Sequence, residues 1–189
     1  WMGPAIAHVF LSFAFADGKH LAISIETRKE KHEGYSTLKG FFRQYELFYV
    51  VADERDVIKL RTNYRQDPPE QTYLYRLKAP IGSGRQLFLD YMQRINALKQ
   101  RPEFYNSLTT NCTTGIWMSS RVNPQHVPFS WKILASGYVP EYLHEQGRLH
   151  TDGLPFAELQ RQALLNPRAQ AAGEADDFSR LIRTPLAAP

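Results

Sequence analysis

The chain has one cysteine, Cys112, which follows Asn111 and sits among Thr109, Thr110, Thr113 and Thr114. Asparagine is a good helix N-cap, so the thiol is predicted at the first position of a helix that continues through Gly115 and Trp117 to Ser120. There it would face unpaired backbone N–H groups and the positive end of the helix dipole, both of which favour a thiolate. So polar a flank argues against the bland use of a lone cysteine as a small buried apolar residue. A thiol nucleophile needs a base within hydrogen-bond reach, usually an imidazole oriented by a third polar group. Histidines occur at 8, 20, 32, 126, 144 and 150. His32, His144 and His150 lie in charged, turn-like surroundings that read as solvated, and His126 lies in a proline-flanked loop. His8 with Glu26, and His20 further along, are the candidates for base and orienting group, although a histidine on a strand is ordinarily structural. A metal site on His8 and His20 lacks a third ligand among close residues. The N–H of Cys112, with Asn111 or a nearby threonine, is the candidate oxyanion donor set.

These residues must be positioned by a hairpin and a helix. Residues 7–15 and 19–27 are β-rich runs joined by Ala16-Asp17-Gly18, which fits a type I turn closed by a left-handed glycine bulge. That register puts His8 opposite Glu26. One face then carries Val9, Leu11, Phe13, Phe15, Leu21, Ile23 and Ile25, and the other His8, Ser12, His20, Ser24 and Glu26 with Phe10, Ala14 and Ala22. A two-residue turn would shift the register and send His8 and Glu26 to opposite faces. Further strands are predicted at 44–51, 56–62 and 71–78, and a short helix at 37–42. Apolar residues at helical spacing predict a helix over 84–100, ended by Arg101-Pro102. Helical patches at 130–136, 139–146 and 155–165 complete a body spanning 1–165, and residues 166–189 read as a tail packed on or frayed from it. The expected class is α+β, an antiparallel sheet with helices packed on one side.

Composition narrows the function classes. Of the 189 residues, 43% are hydrophobic and 22% charged, which suits a globular domain with a real core. One cysteine excludes an intrachain disulfide and CxxC-type metal sites. The net charge of +4 is dispersed, with no basic run interleaved with aromatics, so no nucleic-acid partner is expected. No apolar run approaches a membrane span. The abrupt start at Trp1 suggests a piece of something longer.

Several stretches, in order, resemble one bacterial envelope family. They are Gly3 to Phe13, Ser24 to Glu30, Phe42 to Leu47, Asp53 to Asp56, Tyr105-Asn106 with Asn111-Cys112-Thr113-Thr114, and Asp177 to Arg180. The family is the N-terminal periplasmic domain of the lipoprotein N-acyltransferase Lnb, and it is similar to permuted papain-like (NlpC/P60-like) enzymes, in which the histidine strand precedes the cysteine helix. The resemblance implies Cys112 as nucleophile, His8 as base and Glu26 as the acidic third residue, with His20 ranked below it. It implies no cofactor and no metal. It implies a periplasmic domain at the membrane surface, anchored to the inner membrane by segments outside this chain. The implied partners are a phospholipid acyl donor and an amine acceptor such as a lipoprotein N-terminus.

On that reading Arg28 and Arg43 are candidates to hold a phosphate or to brace the site through Glu30 and Glu46; surface ion pairs are the plain alternative. Phe10, Phe104, Tyr105, Phe129 and Trp131 are candidates to line an acyl groove. Two rival readings stay open: a cysteine peptidase or amidase using the same dyad on a peptide, and a non-catalytic binding module.

Overall fold

A computed structural model describes residues 5–28, 45–107 and 109–184. Arg43 and the helix expected at 37–42 lie outside the described residues. Four strands, β1 (Phe10–Ala14), β2 (His20–Arg28), β3 (Tyr45–Asp53) and β4 (Phe104–Tyr105), form an antiparallel sheet in the order β1-β2-β3-β4. With its several helices the molecule is of the α+β class. The hairpin takes the register that its turn residues dictate. Gly18 adopts φ +81°, the left-handed conformation glycine tolerates best. Its N–H donates to the Phe15 carbonyl at 3.0 Å, and Phe15 N–H donates to the Lys19 carbonyl at 2.9 Å, so Phe15 stands opposite Lys19. β1 begins at Phe10, so His8, expected inside a strand over 7–15, lies just ahead of it, and its side chain reaches Glu26 at 3.0 Å.

The strand predicted over 56–62 is instead a helix, α1 (Glu54–Lys59), running into a π-helical turn, Leu60–Tyr64. Asp53 caps it by accepting from Arg55 N–H at 2.8 Å, and Glu54 and Asp56 stand in the first turn at the positive end of its dipole. Burial explains the misreading. Within 56–62 the buried positions are Val57, Ile58, Lys59, Arg61 and Thr62, a pattern that is hidden because three of the five are polar. Arg61 is accommodated by donating to the Val57 carbonyl, and Thr62 by donating to that of Ile58. Residues 71–78 form no strand either. They make isolated antiparallel bridges, Tyr73 with Leu164 and Leu77 with Leu149.

The remaining helices are α2 (Ile81–Gln100), α3 (Cys112–Ser120), α4 (Trp131–Leu134), α5 (Val139–Glu145), α6 (Phe156–Ala163), α7 (Asn166–Ala172) and α8 (Phe178–Leu181), with a 3-10 turn at Ser136–Tyr138. No helix among the described residues is long and apolar enough to cross a membrane.

The chain divides into two compact units. The first comprises Trp1–Leu11, Ile23–Val51 and Ala79–Arg148. Its buried side chains include Ile23, Ile25, Tyr45, Tyr91, Ile133 and Tyr142, drawn from β2, β3, α2, α4 and α5. The second comprises Ser12–Ala22, Ala52–Lys78 and Leu149–Pro189. It buries Val57, Ile58, Leu165, Ala169, Phe178 and Ile182. Residues after 165, expected as a tail, thus supply α7, α8 and much of this second core. At its centre Glu54, wholly buried, receives both guanidinium nitrogens of Arg183, at 2.6 and 2.9 Å.

Candidate active site

The first turn of α3 is built by its cap. Asn111 Oδ1 accepts from Thr114 N–H at 2.8 Å, and the Thr114 hydroxyl in return accepts from Asn111 N–H at 2.9 Å. Such a reciprocal capping box holds the start of a helix with about 1 kcal/mol per cap. Thr113 secures the turn from outside, its hydroxyl donating to the Ile133 carbonyl at 2.6 Å. Cys112 therefore occupies the first helical position, buried but for 5% of its surface. Helix geometry leaves the N–H groups of Cys112 and Thr113 without intrahelical acceptors, while that of Thr114 is taken by the cap. The Asn111 side chain is itself committed to the cap, and its amide donates to the Ser107 carbonyl at 2.7 Å.

Gly115 lets this helix lie close to β2. A Cβ at residue 115 would stand 2.4 Å from Ile25 Cδ1, far inside contact distance. The neighbours of Ile25 on the strand, Ser24 and Glu26, hold the imidazole of His8. His8 Nε2 lies 2.7 Å from Ser24 Oγ and 3.0 Å from Glu26 Oε1, and the Ser24 hydroxyl donates to that same Glu26 oxygen at 2.7 Å. Cys112 and Glu26 both act electrostatically on the ring. With Nε2 turned to Ser24 and Glu26, Nδ1 is the nitrogen left for the sulfur.

The electrostatics follow from this placing. Burial disfavours a charged imidazole, but Cys112 and Glu26, with the negative charge both can carry, outweigh it. His8 is held at about 9, well above its ordinary 6.5. Nearby on α2, burial and its neighbours, Cys112 among them, push the phenol of Tyr91 well above its usual value, so it stays neutral. Among the described residues no group of three or more His, Cys, Asp and Glu is placed to hold a metal ion.

The other expected residues distribute as follows. His20 sits at the turn end of β2, six residues along the strand from Glu26, where its Nδ1 bonds the Gly18 carbonyl at 3.0 Å. It takes no place at the His8 ring. Phe10 is beside the base, its ring centroid 6.4 Å from that of His8. Tyr105 stands opposite Tyr45 in the sheet. Phe129 packs edge-on against Trp117, and Trp131, which is 59% exposed, against Tyr138. Arg28 makes a solvent-exposed pair with Glu46 at 2.8 Å. That pair edges an open surface groove of about 430 Å³ floored by Leu47, Phe48, Ile95 and Leu98, which neither Cys112 nor any of the five aromatics lines.

Ser24 is the member of the cluster that residue types alone did not single out. A serine on the polar face of a strand carries no chemical signature, and only its i, i+2 spacing to Glu26 on the hairpin pointed to it.

The family model described as the Lnb N-terminal periplasmic domain matches residues 1–137, which include His8, Ser24, Glu26, Asn111 and Cys112. No curated protein and no solved structure matches the chain.

Proposed function

Because the chain belongs to the family of Lnb N-terminal periplasmic domains, and is thus an Lnb-related envelope protein, we propose that it is a thiol-dependent acyltransferase working by ping-pong chemistry. Cys112 is its nucleophile and His8 its acid and base. The single observation that carries this reading is the His8 ring, held by Ser24 and Glu26 and electrostatically coupled to the Cys112 thiol at the start of α3. A permuted papain-like arrangement, with the histidine strand before the cysteine helix, belongs to the same proposal.

In the first half-reaction the thiolate attacks an ester carbonyl of a phospholipid. The N–H groups at the helix start receive the developing oxyanion, and the dipole of α3 adds to their field. The C–O bond to the glycerol then breaks, the His8 imidazolium hands its proton to the departing alcohol, and a thioester remains on Cys112. In the second half, neutral His8 takes a proton from an attacking amine, such as a lipoprotein N-terminus. The C–S bond breaks, and the thiolate is restored beside a protonated ring. An imidazolium stable up to about pH 9 keeps on His8 the proton that the departing alcohol needs. Contact with the membrane surface and anchoring by segments outside this chain are part of the reading.

Intact-mass measurement after incubation with phospholipid vesicles tests it. The expected result is an added acyl mass that is absent in Cys112→Ser and is discharged by an amine. Efficient cleavage of peptide or amide substrates with no acyl adduct would assign the dyad to hydrolysis instead. An inert Cys112 in both assays would leave a binding module.

A further inference from the structure

We propose that Ser24 is the positioning residue of the dyad, fixing the His8 ring that Glu26 also touches directly; this rests on the acyltransferase reading above. An ionised carboxylate only accepts hydrogen bonds, so the proton shared between Ser24 and Glu26 at 2.7 Å lies on the serine. Oγ then has only lone pairs to offer the ring, and at 2.7 Å from Nε2 it must be the acceptor. Nε2 therefore carries a hydrogen in every protonation state of the ring, and the proton that comes and goes is the one on Nδ1, facing the sulfur. A nucleophile's base needs that tautomer.

Rigidity assigns the larger part to Ser24. It is 1% exposed, in the middle of β2, with one side-chain torsion. Glu26 has three torsions, its side chain is 27% exposed, and it lies farther from Nε2, at 3.0 Å. The hydroxyl fixes where the ring points, and the carboxylate, which touches both the ring and the hydroxyl, supplies the charge. The titratable groups bearing on the ring are Cys112 from α3 and Glu26 from its own hairpin, with Tyr91 of α2 near the sulfur.

The test is iodoacetamide labelling of Cys112 across pH, in the wild-type chain and in Ser24→Ala, Ser24→Thr, Glu26→Gln and His8→Ala. It is paired with ¹⁵N spectra of the His8 ring recorded above its titration. Ser24→Ala is expected to label roughly tenfold more slowly near neutral pH, with a changed pH profile and a ring no longer held as a single Nε2–H tautomer. Ser24→Thr, which keeps the hydroxyl, is expected to restore most of the rate. Glu26→Gln is expected to shift the profile while leaving the tautomer in place. A Ser24→Ala protein with the wild-type rate, profile and ring spectrum would overturn the proposal. So would a loss of rate with the tautomer intact, since that marks a merely structural role. If His8→Ala also labels at the wild-type rate, the dyad itself is refuted, which is a separate failure.

Discussion

Each of the two compact units holds a carboxylate paired with a cationic side chain, and the two pairs are built to opposite ends. In the second unit Glu54 has no exposed surface, and both its oxygens are gripped by Arg183. Arginine keeps its proton at any pH the protein meets, so this pair has one state. In the first unit Glu26 is partly open to solvent and its partner is an imidazole, which can lose its proton and whose other side faces a thiol. One pair fixes a core; the other can change charge during a reaction. Burial and short distances alone do not tell them apart. The titrating partner and the nucleophile behind it do.

The largest effect expected from breaking either pair is in the second unit. Arg183→Met leaves Glu54 buried and uncompensated, which typically costs about 3–5 kcal/mol. Urea unfolding should show that loss, with Cys112 labelling in the folded fraction unchanged. A loss below about 1 kcal/mol would mean that Glu54 does not depend on Arg183.

A smaller, opposite pair of effects is expected from pH. His8 sits above its free value, so its contribution to stability is complete below about pH 6.5 and is lost as pH rises through about 9. For Glu54, burial would raise the carboxyl, but the hydrogen bonds and charge of Arg183 hold it below its ordinary 4.5. Its contribution is present above that ordinary value and is lost as pH falls through the lowered one. Urea midpoints measured from acid to alkaline pH should show His8→Ala flattening only the alkaline slope and Glu54→Gln only the acid one. A shared slope would erase the distinction drawn here.

These contrasts were unequally visible in the residues. The Ala16-Asp17-Gly18 turn dictated the hairpin register, because a glycine bulge admits one pairing, and with it the meeting of His8 and Glu26. Asn111 marked the start of α3 because an asparagine side chain is a cap by its chemistry. Ser24 was silent, since a hydroxyl acquires meaning only from what stands within 3 Å of it. The 56–62 segment misled because its buried face includes an arginine and a threonine whose polar groups are satisfied by their own helix. The core of α7 and α8 was hidden for another reason: it relies on Ala169 and Ala172, small residues that leave little hydrophobic pattern.

The smallest effect expected is at the contact between α3 and β2. Gly115→Ala drives a methyl into Ile25 Cδ1, the far end of a side chain that is otherwise buried. Overpacking of this kind costs about 1–3 kcal/mol, the lower end if Ile25 can turn aside. Labelling of Cys112 should slow with it, because the helix that carries the thiol is lifted from the strand that holds its base. Unchanged stability and labelling together would show that the helix does not rest on that contact.

The atom in the way, Cδ1, is the one that separates isoleucine from valine. Positions 25 and 115 are thus complementary in size, and Ile25→Val should restore what Gly115→Ala removes. Across descendants of a common ancestor the two should drift as a couple: a lineage that gains alanine in the cysteine helix is expected to have shortened the isoleucine first, since the reverse order passes through an intermediate with a displaced thiol.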